Sequence, residues 1–528
     1  MAANISVDVT MLGRDAGTLD VGVNLAAWDT YLSADPATGL GPTPNTQTVT
    51  MLQDAGFSLL RLSNGSGADE WHFSSNANAF PVGAGLLANT VAAVGGGGLV
   101  TINYGTGTPQ EAAAYLAYLN GAPDNSFAIG TDANGKDWGK VGDWAQLRAA
   151  TPLGQDPLDV LRAGHPAPFG VRRFEVGNEI YFAGWSGAPV TVNPSDYVGF
   201  ANSFATLAQS IDPTASIGLG LGNPIEYDAI WNIPVLQQCQ ALGFMPGFIS
   251  DHFYVYDGKI ETLTDQQLLH NSVADPASVM PNHASSPRNW AGRAQAYRTL
   301  LTNQLGTAGA AVELVCAEFN SDADAANKQS TNLVRGLFVA DAIGAALQTE
   351  YRALIYWDLR NGYTDRADDP SFYGWRTGSD DGLIGTESAP PPVSGPFVPY
   401  PAYFGVQLAT KLASGGGNVV NVTADNADLS ACGVKVANGH LALLIINKSA
   451  TTDIDGVINV TGLLPASPAT TWTYGTDEDT AQGSSPDGAA SLTTTPNLNL
   501  NVVPSGTGGT FNFTFKRYSM TALDVPSS

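Results

Sequence analysis

An apolar run of strand length, a polar and aromatic break, then a stretch with helical spacing: this unit recurs along most of the chain and constrains its fold more than any single motif. The strand-like runs fall at 21–29, from 58 onward, and at 99–104, 171–178, 216–221, 247–254, 311–318 and 353–357. Helical spacing follows at 44–55, 109–120, 195–211, 227–242, 287–305, 325–348 and 403–412. Local punctuation agrees, with Pro109 at a favoured first-turn position and Gly56 placed as a C-cap glycine. Eight such strand-like runs, seven of them followed by a helical stretch, match the number that closes a (β/α)8 TIM barrel. The tetraglycine Gly95 to Gly98 reads as a flexible loop; it lacks the Lys-Ser/Thr of a phosphate-binding loop.

The pattern changes after Asp358. A proline-rich stretch, 388–401, cannot be regular helix or central strand. Beyond 416 come short alternating strands separated by turn residues, the signature of an antiparallel β-sandwich. The alternating run 4–12 precedes the first barrel strand and is expected to pair with that sandwich. The expected organisation is therefore an N-terminal strand in 1–17, a catalytic barrel at 18–415 and a C-terminal β-sandwich at 416–528.

Charge narrows the partners. With 48 acidic against 23 basic residues the net charge is -25, which argues against nucleic acid or an anionic membrane. A neutral, hydroxyl-rich partner fits better. Cys239, Cys316 and Cys432 are too scattered for a disulfide framework or a metal site and are expected as small buried apolar groups. No apolar stretch is long enough to span a membrane. Met1-Ala2-Ala3 runs straight into polar sequence without a visible leader, while the Thr/Asn/Gly-rich, lysine-poor surface favours a secreted or periplasmic protein.

A parallel barrel delivers the C-terminal end of every strand to one rim, where residues distant in sequence converge. That rule gathers Asn24 and Trp28, Arg61, Glu70 and Trp71, Asn103 and Tyr104, Asn178 and Glu179, His252 and Tyr254, Glu318 and Asn320, and Trp357 and Asp358. Trp185 stands in the loop after the fourth strand. Two strand-end glutamates across a cleft are the minimum for glycosidic bond hydrolysis, one to protonate the departing oxygen and one to attack the anomeric carbon or activate water. Aromatic rings offer flat faces for sugar C–H groups, and amides address hydroxyls. The set contains neither a Ser-His-Asp order nor a His-x-x-x-His pair, and no metal or organic cofactor is implied.

FEVGNE, ending at Glu179, resembles the acid/base motif of clan A retaining glycoside hydrolases. AEFN, around Glu318, resembles their nucleophile motif. The segment 99–120 and DHFYVY, 251–256, are similar to the third- and sixth-strand segments of the family 51 α-L-arabinofuranosidases, with families 39 and 44 related. The resemblance implies Glu179 as acid/base, Glu318 as nucleophile, and Asn178 on the hydroxyl beside the anomeric carbon. It also implies Arg61 and Tyr254 as partners of Glu318, His252 as an orienting or substrate contact, and Trp357 as the subsite floor. The pattern departs at the nucleophile, where Ala317-Glu318-Phe319 replaces an Asp-Glu-Trp pattern and leans toward families 39 or 44.

Blander readings stand beside these. Arg61 could serve a structural ion pair, Glu70 could be its partner or a substrate contact, and Trp28, Trp71 and Trp185 could be packing residues. Asp257 and the pairs Asp368-Asp369 and Asp380-Asp381 could invite calcium but lack a regular ligand spacing, so a solvated acidic loop is expected. The expected activity is an arabinofuranosidase-like retaining hydrolase acting on a carbohydrate. An open-cleft endo-β-1,4-glucanase or xylanase is the rival enzyme, and a non-catalytic carbohydrate-binding protein the rival of another class.

Overall fold

The structure, a computed structural model, describes residues 2–75, 80–154, 156–182, 192–256, 264–270, 280, 285–323, 328–363, 380–386, 395–413, 415–479 and 491–528. A first strand, β1 (Ala2–Asp15), precedes eight parallel strands that close on one another: β2 (Asp20–Leu25), β3 (Leu59–Leu62), β4 (Gly97–Ile102), β5 (Arg173–Val176), β6 (Ser216–Gly220), β7 (Phe248–Tyr254), β8 (Glu313–Asn320) and β9 (Ala353–Tyr356). Closure is made by β2 against β9, Val21 lying opposite Leu354. Around this barrel run helices α1 (Thr46–Asp54), α2 (Ala84–Val94), α3 (Pro109–Asn120), α4 (Val141–Ala149), α5 (Pro194–Ala208), α6 (Ile233–Leu242), α7 (Asp265–His270), α8 (Trp290–Leu305), α9 (Leu333–Leu347) and α10 (Pro401–Ala413).

Helix starts follow side-chain chemistry. Asn45, Thr108, Asn193, Asn289 and Asn332 each cap the helix that follows by accepting a backbone N–H of its first turn. Leu59, Leu99, Phe248, Val315, Ala317, Ala353 and Ile355 fill the barrel interior, so the barrel is a packed core with its chemistry confined to one end.

The structure departs from three expectations drawn from the sequence. The tetraglycine is not a flexible loop: Gly95, at φ +83°, is the left-handed C-cap of α2, while Gly97 and Gly98 pair with Leu59 and Leu60 as the start of β4. Helix α9 begins at Leu333, later than its apolar spacing suggests, because Asn332 caps it there. The Asp380-Asp381 pair is buried rather than solvated. Asp380 accepts the Gly362 and Gly382 N–H groups and the Tyr400 hydroxyl, and Asp381 lies 3.4 Å from Arg335. Asp257, Asp368 and Asp369 lie outside the described residues.

The C-terminal strands are β10 (Gly417–Ala424), β11 (Leu429–Val436), β12 (Leu441–Asn447), β13 (Ile454–Thr461), β14 (Ala469–Gly475), β15 (Thr493–Leu498), β16 (Val503–Ser505), β17 (Gly508–Phe515) and β18 (Ser519–Val525). With β1 they form a ten-stranded, mostly antiparallel sheet in the order β15-β14-β18-β12-β11-β10-β1-β13-β17-β16. β1 is antiparallel to β10 and parallel to β13, so the chain's first residues bridge two segments from its last quarter. Strand parity explains how this sheet docks. In β12, Leu441, Leu443 and Ile445 join the sheet's own core, while Ala442, Leu444 and Ile446 belong to the core shared with the barrel's helices. Phe404 stacks on Tyr474 at 4.5 Å across that junction, and Lys448 reaches Asp341 on α9 at 2.7 Å. The three cysteines are buried and unpaired.

Candidate active site

Arg61, on β3, is wholly buried, and four side chains from three other strands or strand ends converge on it. Its Nη1 donates to Glu318 Oε1 at 2.7 Å and to Asn24 Oδ1 at 2.8 Å; its Nη2 reaches Asn178 Oδ1 at 2.9 Å; its Nε donates to Glu175 Oε2 at 2.8 Å. A guanidinium suits this task because its donors form a fixed planar fork. Burial alone would lower its pKa, but the charges of Glu175 and Glu318 raise it instead.

Glu318 sits within β8, two residues before that strand's end, at an irregularity. Asp251 of β7 pairs with Cys316, and the next residue, His252, pairs with Glu318, so Ala317 is extra. Asn24 Nδ2 takes up the Ala317 carbonyl at 3.0 Å and the Tyr356 carbonyl at 3.1 Å. Both carboxylate oxygens of Glu318 are engaged, Oε1 by Arg61 and Oε2 by the Tyr254 hydroxyl at 2.7 Å.

Glu179 lies just past β5, in the left-handed region at φ +51°. A non-glycine residue persists there only when its surroundings hold it. Its Oε1 accepts from His252 Nδ1 at 2.9 Å, and the same Nδ1 is 3.4 Å from Glu318 Oε2. His252 thus lies between the two glutamates, with its Nε2 3.7 Å from Glu175. Burial alone would lower the His252 pKa, but the charge of Glu318 and hydrogen bonds to Glu175 and Glu179 raise it to about 10. Glu175 shows the converse: burial opposes its ionisation, yet Arg61 and His252 hold it at about 2.

Among the described residues, Glu179, His252 and Glu318 are the one group compact enough to consider for a metal ion, with potential ligand atoms all within 4.8 Å of one another. Within the group, His252 Nδ1 stands at hydrogen-bonding distance, 2.9 Å, from Glu179 Oε1.

The remaining sequence-derived candidates divide. Asn178 is drawn in. Its oxygen is held by Arg61, so its NH2 is turned away from that side chain, and its backbone N–H donates to Asp69 at 2.9 Å. Trp357 is half-buried, edge-on to Trp28 at 6.1 Å, and Trp28 donates to the Arg360 carbonyl. Gly65, at φ +49°, makes room for Trp357: a Cβ there would stand 2.4 Å from the ring's Cη2. Asn24 underlies the site, its amide spent on Arg61, Ser63 and two carbonyls.

Four candidates are not brought to the carboxylates. Asn103 spends its amide on its own loop and the one after β3, donating to Thr106 and the Trp71 carbonyl and accepting the Thr106 and Gly107 N–H groups. Tyr104 packs edge-on against Tyr197 and Phe200 of α5. Trp71 is buried against Tyr115 of α3, and Glu70 is exposed, Arg61 having taken Glu175 and Glu318 as its carboxylate partners. Trp185 lies outside the described residues.

Two contributors escaped the sequence reading. Asp69, next to Glu70, ties three loops together by accepting the N–H groups of Tyr104, Gly105 and Asn178; burial raises its pKa to about 6 against those bonds. Glu175 was legible by parity alone. It stands four residues before Glu179, on the face of β5 that points into the barrel.

No family model matches the chain, and no curated protein matches it. Solved structures do. The α-L-arabinofuranosidase from Thermotoga maritima, determined as an arabinose complex, superposes with a TM-score of 0.68 at 18% identity over 100% of both chains. A family 51 arabinofuranosidase from Xanthomonas axonopodis pv. citri gives 0.64 at 14% identity, covering 99% of this chain and 100% of its own. A family 44 xyloglucanase from Paenibacillus polymyxa gives 0.58 at 12% identity over 100% of both. In fold, this chain is a TIM barrel with an appended β-sandwich of the kind seen in the clan A glycoside hydrolases of families 51 and 44.

Proposed function

We propose that the chain is a retaining glycoside hydrolase, with Glu318 as nucleophile and Glu179 as acid/base. The observation that carries this reading is the spacing of the two carboxylates: oxygens of Glu179 and Glu318 lie within 4.8 Å of each other. Retaining enzymes hold their carboxyl groups about 5–5.5 Å apart, whereas inverting ones need about 6.5–9.5 Å to admit water between them. In the first step Glu318 bonds to the anomeric carbon as the glycosidic C–O bond breaks, and Glu179 gives its proton to the departing oxygen. In the second, water attacks that carbon, Glu179 takes the water's proton, and the bond to Glu318 breaks. Arg61 and Tyr254 each hold one oxygen of Glu318 and so fix the carboxylate for its attack.

The partners of Glu318 and Glu179 support an arabinofuranosidase-like, exo-acting reading. Glu318 and His252 are only 5% and 4% exposed at their side chains and Glu179 15%, so the pair is held largely away from solvent. The fold is shared with arabinofuranosidases, one of them solved with arabinose. A panel of aryl glycosides and polysaccharides, with product lengths recorded, tests this. Release of single terminal pentose units, lost in Glu318→Ala, is expected. Internal cleavage of a β-1,4-glucan or xylan would replace the exo reading, and inactivity on every member would revive a carbohydrate-binding role.

A further inference from the structure

The glutamate pair stands on a third carboxylate that neither catalytic role uses. Glu175 is 1% exposed and faces the barrel interior from β5. Its Oε2 accepts Arg61 Nε at 2.8 Å and Thr101 Oγ1 at 3.0 Å, and its Oε1 accepts the Ser250 hydroxyl and faces His252 Nε2 at 3.7 Å. A buried ion pair is a poor stabilising device, because desolvation offsets most of its attraction. Its geometry is the better guide to its use. Both cations bound by Glu175, Arg61 and His252, reach past it to the catalytic pair, Arg61 to Glu318 and His252 to both glutamates.

We propose that Glu175 is a positioning residue that works through Arg61 and His252, fixing two cations against three carboxyl groups so that the Glu179–Glu318 pair carries a single proton. This rests on the glycosidase reading above. With Glu175 and Glu318 ionised against Arg61 and His252, the charges cancel and the proton belongs to Glu179, the general acid. When Glu318 becomes an ester and Glu179 has given its proton away, one negative charge has moved from Glu318 to Glu179 and the sum is unchanged. His252 Nδ1, 2.9 Å from one and 3.4 Å from the other, meets the anion in both halves of the cycle. The groups facing His252 are Glu175 and Glu179 from the β5 end, Glu318 from β8, and the Tyr181 ring edge-on at 6.5 Å; Tyr254, on its own strand, serves Glu318.

The test is Glu175→Gln in the full chain, with two readouts. The first is the titration of His252 by NMR on histidine-labelled protein, its signal assigned among the six histidines by its loss in His252→Asn. The second is the pH profile of kcat and KM on the best aryl glycoside. Removing one of the two anions that face the ring in that state, Glu175 and Glu318, should lower the His252 midpoint by about 1 unit or more. It should also lower kcat about tenfold or more with little change in KM, and move the alkaline limb down with the His252 midpoint. An unchanged His252 midpoint in a folded variant overturns the proposal, as does a kcat loss with no movement of the pH profile, which is what damage to packing alone would give. If Glu175→Gln does not fold, Ser250→Ala removes only the hydroxyl on the His252-side oxygen. A small upward shift of the His252 midpoint, because Oε1 is left to the ring alone, then supports the proposal, and no shift overturns it. Absence of any turnover in the wild type would sink the glycosidase reading while the NMR titration still decides the role of Glu175.

Discussion

Glu179, Glu318 and His252 make the residue-scale account directly testable. Glu179→Ala should lower kcat by about 10²–10⁴-fold on substrates with poor leaving groups and much less on activated aryl glycosides, whose departing oxygen needs little protonation. Equal losses on both would contradict an acid role. The perturbed groups also define a pH window for stability. His252 is raised from 6.5 to about 10, so its contribution is complete below pH 6.5 and lost as pH rises through 10. Glu175 is lowered from 4.5 to about 2, so its contribution is complete above pH 4.5 and lost as pH falls through 2. Melting temperatures should therefore fall off on both flanks, and His252→Asn should flatten the alkaline flank; a persisting alkaline decline in that variant would assign it to another group. Gly65→Ala, which drives a Cβ into Trp357 at a positive φ, should cost about 1–3 kcal/mol and raise KM more than it lowers kcat.

The elements show why part of the site could be read from sequence and part could not. Glu179 and Glu318 were legible because each follows a clear β-run and a barrel sends all such ends to one rim. Arg61, His252 and Tyr254 were legible for the same reason. Asn103, Tyr104 and Trp71 obey the same rule of position yet turn to their own loop or to helices α5 and α3, because position along a strand does not fix what a loop side chain bonds to. The irregularity at Ala317 was invisible for a related reason: register is a property of two strands, and one sequence run shows only itself. Asn24 holds that irregularity through the Ala317 carbonyl. Asn24→Ala should cost about 1–3 kcal/mol for the buried groups left unsatisfied, and should lower kcat by displacing Glu318. Denaturant unfolding and steady-state kinetics on one preparation check both effects; a stability loss with unchanged kcat would leave Asn24 a scaffold residue only.

At the scale of the whole molecule, the chain's ends are tied together by β1, whose Ala3, Ile5, Val7 and Val9 fill the sheet core from between β10 and β13. Deleting residues 1–13 should open both neighbours and lower the melting temperature by several degrees, with light scattering rising as the β10 and β13 edges are exposed. An unchanged melt would mean that the sheet closes without β1. The alternation of strand and helix sufficed to expect the barrel, and short alternating strands to expect the sheet behind it. The parallel pairing of β1 with β13 had no local signature, since it joins segments some 450 residues apart. The proposed function makes the fold a device for holding Glu179 and Glu318 across one sugar. The most direct test of that claim is the anomeric configuration of the first-formed product, followed by proton NMR before mutarotation on the best substrate from the glycoside panel. Two carboxylates at this spacing predict a product with the same configuration as the substrate, and an inverted product would contradict the account.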